Sequence, residues 1–176
     1  MRFTLSELPD TVIVDIEGHV DDRGLFARTF CEEEFAAAGL PTRFVQSSVS
    51  FNTRRGTLRG LHYQAPPRPE AKLVRCTRGA IHDVVVDLRS SSATFLKSIC
   101  VELTAENRRA LYVPPGCAHG FQTLADDSEV LYLMTEFYAP EMARGVRWND
   151  PMFGVEWPIA SPTISERDAT YPDFRP

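Results

Sequence analysis

The chain has 176 residues, 43% of them hydrophobic and 24% charged, which suits one folded domain over residues 1–176 and excludes a disordered or fibrous chain. A formal net charge of −5 argues against a general binder of nucleic acid or anionic membrane, since either needs a basic surface to displace counterions or attract headgroups. No apolar run approaches the roughly 20 residues of a spanning helix, and the start Met1-Arg2-Phe3-Thr4-Leu5-Ser6-Glu7 carries an acid where a secretory signal is apolar, so a cytoplasmic protein is expected.

In chain order, the first extended segment covers residues 11–16. Residues 31–39 then read as the one helix, with acids Glu32, Glu33 and Glu34 in its first turn, alanines through its body and Gly39 at its stop. Short strands are predicted at 43–51, 57–63, 72–77, 81–88, 98–103, 109–113, 120–124 and 129–137, a spacing that points to a β-sandwich or barrel. Turn residues separate them at Arg78-Gly79, Pro114-Pro115-Gly116 and Asp126-Asp127, the last expected to close a hairpin. Val84-Val85-Val86 is an almost uninterrupted apolar run, expected to be buried on both faces in the middle of one sheet covered by another, and the flanking Asp83 and Asp87 need partners. Residues 150–176, rich in proline and polar side chains, are expected to wrap the surface. Cys31, Cys76, Cys100 and Cys117 show no Cys-x-x-Cys pairing and read as reduced, structural thiols.

Arg59 and His62 precede the turn Ala65-Pro66-Pro67-Arg68-Pro69, and Lys72 follows it, so strand pairing can bring the three to one face. Strict alternation puts Arg59 and His62 on opposite faces; they converge only if the strand bulges near Gly60. An imidazole suits base chemistry near neutral pH and equally a hydrogen-bonded rim position. Lys72 is a solvated edge charge or, if buried, a stabiliser of a developing oxyanion. Tyr132, inside an apolar run, packs in the core or donates a proton. His119, after the sharp Pro114-Pro115-Gly116 turn and before an apolar strand, is a metal ligand, an anion donor or a cap.

The ordered set Asp22-Arg23-Gly24-Leu25-Phe26, Phe44-Val45-Gln46, Leu58-Arg59-Gly60-Leu61-His62-Tyr63-Gln64, Lys72-Leu73-Val74-Arg75, Asp83 to Arg89 and Pro115 to Phe121 resembles one family. The match continues through Glu129-Val130-Leu131-Tyr132, Tyr138-Ala139-Pro140, Trp148-Asn149-Asp150-Pro151 and Ser165-Glu166-Arg167-Asp168. The family is that of the dTDP-4-dehydrorhamnose 3,5-epimerases, nucleotide-sugar cupins. The resemblance implies a mainly β, double-stranded β-helix (jelly-roll) fold, a homodimer with exchanged strands, and a nucleoside-diphosphate 4-keto-6-deoxy sugar as substrate. It implies no metal and no organic cofactor. Carried over position by position, His62 is the base, Tyr132 the acid on the opposite side of the sugar, Lys72 the stabiliser of charge on the C4 oxygen, and Asp168 the carboxylate that fixes the His62 tautomer, with Asp83 second. Arg23, Arg59 and His119 fall to the diphosphate and sugar, Gln46 to nucleotide or sugar, Tyr138 to stacking on the base, and Arg167 to the binding surface.

Four positions depart from the family pattern: Arg28 stands where glutamate is common, Ser47-Ser48 where aspartate-asparagine is common, and Ala143 where another glutamate is usual, with Glu141 nearby as a substitute. Exchanging one acid for Arg28 and losing another makes the substrate pocket more positive by up to roughly three charges. The proton-transfer set is intact while nucleotide selection is open, and inversion at C3, at C5 or at both fits the sequence. The rivals are a metal-dependent cupin oxygenase or isomerase using His62, His82 or His119, a nucleotide-sugar 3,4-ketoisomerase, and a noncatalytic sugar-binding cupin; the absence of His-x-His weighs against the first.

Overall fold

The structure is a computed structural model that describes residues 1–175; Pro176, the end of the expected wrapping segment, lies outside the described residues. The strands are β1 (Arg2–Leu5), β2 (Val12–Asp15), β3 (Gly18–Asp21), β4 (Gly24–Ala27), β5 (Gln46–Asn52), β6 (Thr57–Gln64) and β7 (Lys72–Arg78). They continue with β8 (Ala80–Asp87), β9 (Ser98–Thr104), β10 (Ala110–Val113), β11 (Cys117–Thr123), β12 (Ser128–Met134), β13 (Ala143–Gly145) and β14 (Thr163–Ile164). Helix α1 is Glu32–Ala37 and helix α2 is Glu166–Ala169.

Two sheets face each other. The front sheet runs β1-β2-β10-β7-β12-β5, the back sheet runs β13-β6-β11-β8-β9, and β3 with β4 forms a separate hairpin. From β6 to β12 the chain passes repeatedly between the sheets, the winding of a double-stranded β-helix. Period-two alternation explains the packing: Val74 and Cys76 of β7, Ile81 and Val85 of β8, Cys117 and Phe121 of β11 and Val130 of β12 all point between the sheets. Each such side chain taken fully out of water contributes about 1.5–3 kcal/mol. Burial also silences the thiols there, pushing Cys76 up to about 11 and Cys117 up to about 12.

Several expectations need correction. Asp126-Asp127 does not close a hairpin: β11 lies in the back sheet and β12 in the front, so this turn carries the chain across the sandwich. The same turn residues serve either geometry. Strand β8 is buried on both faces as expected: its inner residues Ile81 and Val85 meet the front sheet, while its outer residues Val84 and Val86 are covered by Phe153, Val155, Trp157 and Phe174 of the C-terminal segment. That segment does wrap, yet it is not irregular throughout, because it holds the 3-10 turn Pro151–Phe153, β14 and α2. The expected single helix is thus joined by α2, one turn long and capped by the Ser165 hydroxyl, which accepts from the Asp168 N–H. His119 lies inside β11 and not just before it, since the strand starts at Cys117, three residues earlier than expected. The hairpin β3–β4 was invisible to burial patterning because its apolar residues Val20 and Phe26 face solvent.

Candidate active site

The site begins with an irregularity in β6. Arg59 pairs with Phe121 and His62 pairs with His119, so two residues of β6 stand where β11 has only Gly120. This bulge puts Arg59 and His62 on one face, as the sequence required. Gly60 has φ +123, and a Cβ there would lie 2.6 Å from the Gly120 Cα. Glycine at both positions lets the two backbones come together.

His62 Nε2 lies 2.8 Å from Asp168 Oδ1, and the other oxygen of Asp168 accepts the Gly60 N–H at 3.1 Å. One carboxylate from α2 therefore fixes both the imidazole and the bulge that orients it. Asp168 is only 5% exposed. Burial pushes its carboxyl up, but the His62 hydrogen bond and charge, with the Gly60 N–H, hold it below the usual carboxylate value. Asp83, the second candidate partner of His62, serves another ring: its Oδ1 is 2.8 Å from His119 Nε2, and both groups are buried.

From the front sheet, Lys72 shares the inner face of β7 with Val74 and Cys76, and Tyr132 shares that of β12 with Val130. The Tyr132 ring stands 6.0 Å from the His119 ring, edge-on. Burial, with the negative Asp83 adding to it and Arg59 opposing, raises the Tyr132 phenol well above its ordinary value and keeps it a proton donor. Lys72 Nζ is 2.8 Å from Glu70 Oε1 and 3.4 Å from the His62 carbonyl oxygen. Arg59 donates from Nε to Asn52 Oδ1 at 2.7 Å.

His62, Asp168, Lys72, Tyr132, Arg59 and His119, with Ser50 and Gly120, line one recess of ≈ 280 Å³. A second recess of ≈ 200 Å³ shares His62 and Lys72 with it, and adds Tyr138, Arg167, Ala143, Arg144 and Glu70. Larger hollows beside the β3–β4 hairpin and beside β2 and β10 contain neither His62 nor Lys72 nor Tyr132. Tyr138 is 58% exposed, and its backbone N–H donates to Gln46 Oε1. Arg167 donates to the Tyr171 hydroxyl at 2.8 Å.

Five predicted binding residues, Arg23, Arg28, Gln46, Ser47 and Ser48, line neither recess within this chain. Arg23, at the tip of the β3–β4 hairpin, is 90% exposed and pairs with Asp21. Arg28 pairs with Glu34 at 3.1 Å. Ser48 is across from Tyr132 but outside the recess lining, and alternation turns Ser47 to the other face of the sheet. Ser50, two residues on, takes the inner position instead, and the same alternation in the sequence marks it. Glu141 is exposed and lines neither recess, whereas Ala143 lines the second. Asn52, Glu70 and Arg144 were not singled out by sequence; their polarity alone does not distinguish them from solvated loop residues.

His82 packs against Trp157 on the outer face of β8, away from His62 and His119, so these histidines do not form one ligand set. Among the described residues no three His, Cys, Asp or Glu side chains converge as a metal site. Among them, too, no helix is long and apolar enough to cross a membrane.

The sequence matches the family model for dTDP-4-dehydrorhamnose 3,5-epimerase over residues 5–176. A dTDP-4-dehydrorhamnose 3,5-epimerase of Methanothermobacter thermautotrophicus is 44% identical over 177 residues, covering 99% of this chain and 95% of its own. The structure of a dTDP-4-dehydrorhamnose 3,5-epimerase from Bacillus anthracis, with TDP and PPi bound, superposes with a TM-score of 0.96 at 37% identity, covering 98% of this chain and 99% of that one. A 3'-monoepimerase from Streptomyces bikiniensis in complex with dTDP-quinovose gives 0.88 at 36% identity, covering 96% of this chain and 85% of that one. On the agreement of its sequence, its fold and the residues gathered between its sheets, the chain belongs to the dTDP-4-dehydrorhamnose 3,5-epimerase family.

Proposed function

We propose that the chain is an isomerase that inverts C3, C5 or both in a nucleoside-diphosphate 4-keto-6-deoxy sugar, without metal or organic cofactor. The observation that carries this reading is the placement of His62 on the back sheet and Tyr132 on the front sheet, both lining one recess. A flat sugar ring between them meets a base on one face and an acid on the other.

The C4 ketone acidifies the adjacent C–H bonds. With Nε2–H donating to Asp168, the His62 lone pair is on Nδ1, which takes the proton. The electrons of the C–H bond pass to the C4 oxygen, whose negative charge meets the Lys72 ammonium. Tyr132 returns a proton to carbon from the other face, and the ketone re-forms with inverted configuration. Arg59 and His119 hold sugar and phosphate oxygens, with Arg167 and Tyr138 of the second recess, and Gln46 bonded to the Tyr138 backbone, for the nucleotide.

Residues 1–176 act as one unit, the C-terminal segment wrapping the outer sheet face. Arg23 and Arg28 reach a nucleotide only across a dimer, with the β3–β4 hairpin crossing to a second copy; the exposed Val20 and Phe26 support that exchange. A single-chain mass in sedimentation, with full turnover, would overturn it. Four free cysteines suit a cytoplasmic setting.

The deciding experiment incubates candidate 4-keto sugar nucleotides, beginning with dTDP-4-dehydro-6-deoxyglucose, in deuterated water and follows C3 and C5 by NMR. Deuterium with inversion at one or both carbons is expected. No exchange with any such nucleotide would leave a noncatalytic binder, and movement of the carbonyl to C3 would indicate the 3,4-ketoisomerase.

A further inference from the structure

Lys72 and Glu70 form an ion pair at 2.8 Å with side chains only 12% and 13% exposed, at the point where the two recesses meet. Taking two charges this far from water is costly for each ion before their attraction returns any of it. A solvated lysine needs no such arrangement. The segment is also pinned: the Ala71 N–H donates to the Thr135 hydroxyl at 2.9 Å, and the Ala71 carbonyl accepts the Thr135 N–H at 3.1 Å.

An ammonium carries three N–H donors at fixed angles. One goes to Glu70 Oε1 and a second lies 3.4 Å from the His62 carbonyl oxygen. With two directions occupied, the third is determined, and Lys72 lines the same recess as His62 and Tyr132. We propose that Glu70 is a positioning residue that aims the remaining Lys72 N–H at the substrate's carbonyl oxygen. Glu70 lines only the neighbouring recess and touches no reacting atom. The inference rests on the epimerase reading for its catalytic consequence, but not for its structural one.

Two readouts keep those parts separate. Nitrogen-15 NMR of the lysine ammonium groups, with the Lys72 signal assigned by its loss in Lys72→Met, should show an ordered, slowly exchanging group in the native protein. That order should be lost in Glu70→Gln while circular dichroism shows the protein still folded. In deuterium exchange on the 4-keto sugar nucleotide, Glu70→Gln should lower kcat by about tenfold with KM moving less than about threefold, the mark of an interaction felt in the transition state. Glu70→Asp should recover part of the loss. An equally ordered Lys72 in Glu70→Gln, or an unchanged kcat, overturns the proposal. A native protein without exchange on any sugar overturns the epimerase reading instead, and the NMR comparison still decides whether Glu70 positions Lys72.

Discussion

His62 and His119 are direct cross-strand partners on β6 and β11, yet each imidazole is held by its own carboxylate, Asp168 and Asp83, both at 2.8 Å. Separate partners let each ring keep its tautomer independently of the other. Asp168→Asn should therefore alter the His62 ring-nitrogen NMR signals and lower the exchange rate by on the order of a hundredfold. Asp83→Asn should alter those of His119 and leave the His62 tautomer in place. A His62 spectrum that responds equally to both substitutions would contradict the separation.

Removing the base or the acid should have different signatures. His62→Ala should abolish deuterium exchange, a loss of roughly a hundred- to ten-thousandfold. Tyr132→Phe should slow formation of the inverted product by a similar factor while leaving measurable exchange at the carbon, because His62 still removes the proton. Product NMR and exchange followed in the same sample check this, and Tyr132→Phe with intact inversion would remove Tyr132 from its role.

Asp168 also makes stability depend on pH. Its folded pKa is below the unfolded value of 3.8, so its ionised form stabilises the fold above that value, and the contribution is lost as pH falls through the folded pKa. Thermal melts should show the native protein losing more stability than Asp168→Asn between about pH 5 and about pH 2. Parallel losses would show that the carboxylate has no net role in the fold.

The bulge in β6 admits no side chain at its pivot. Gly60→Ala combines a positive φ with a Cβ 2.6 Å from the Gly120 backbone, and strain of this kind costs about 1–3 kcal/mol before the clash is added. Urea unfolding should place the loss above about 2 kcal/mol, with catalysis falling further as Arg59 and His62 separate. A fully stable and active Gly60→Ala would refute the bulge.

The strands from β5 to β12 were legible because short apolar runs there are bounded by turn residues, and the helix α1 because Gly39 and the leading glutamates mark its ends. The need for a bulge at Gly60 was also legible, since without one Arg59 and His62 could not meet. What sequence did not reveal has physical reasons. The β3–β4 hairpin exposes the apolar residues that usually signal a core, and a one-turn helix such as α2 is too short for periodicity. Asp126-Asp127 fits a hairpin and a sheet-to-sheet turn equally well. The Arg59 support from Asn52 and the Lys72 support from Glu70 depend on contacts between residues whose polarity alone suggests solvent. Conversely, family correspondence brought Arg23 and Arg28 forward, while within one chain they point away from the recess.

The bond between His62 and Asp168 spans 106 positions of sequence. During synthesis, at about 5–20 residues per second, both sheets can be complete before the carboxylate that orients the base has emerged. Chains halted or clipped ahead of residue 168 would retain most of the sandwich while lacking the partner of their imidazole. Competence for proton transfer thus waits on residue 168, long after the strand that carries the base has been made.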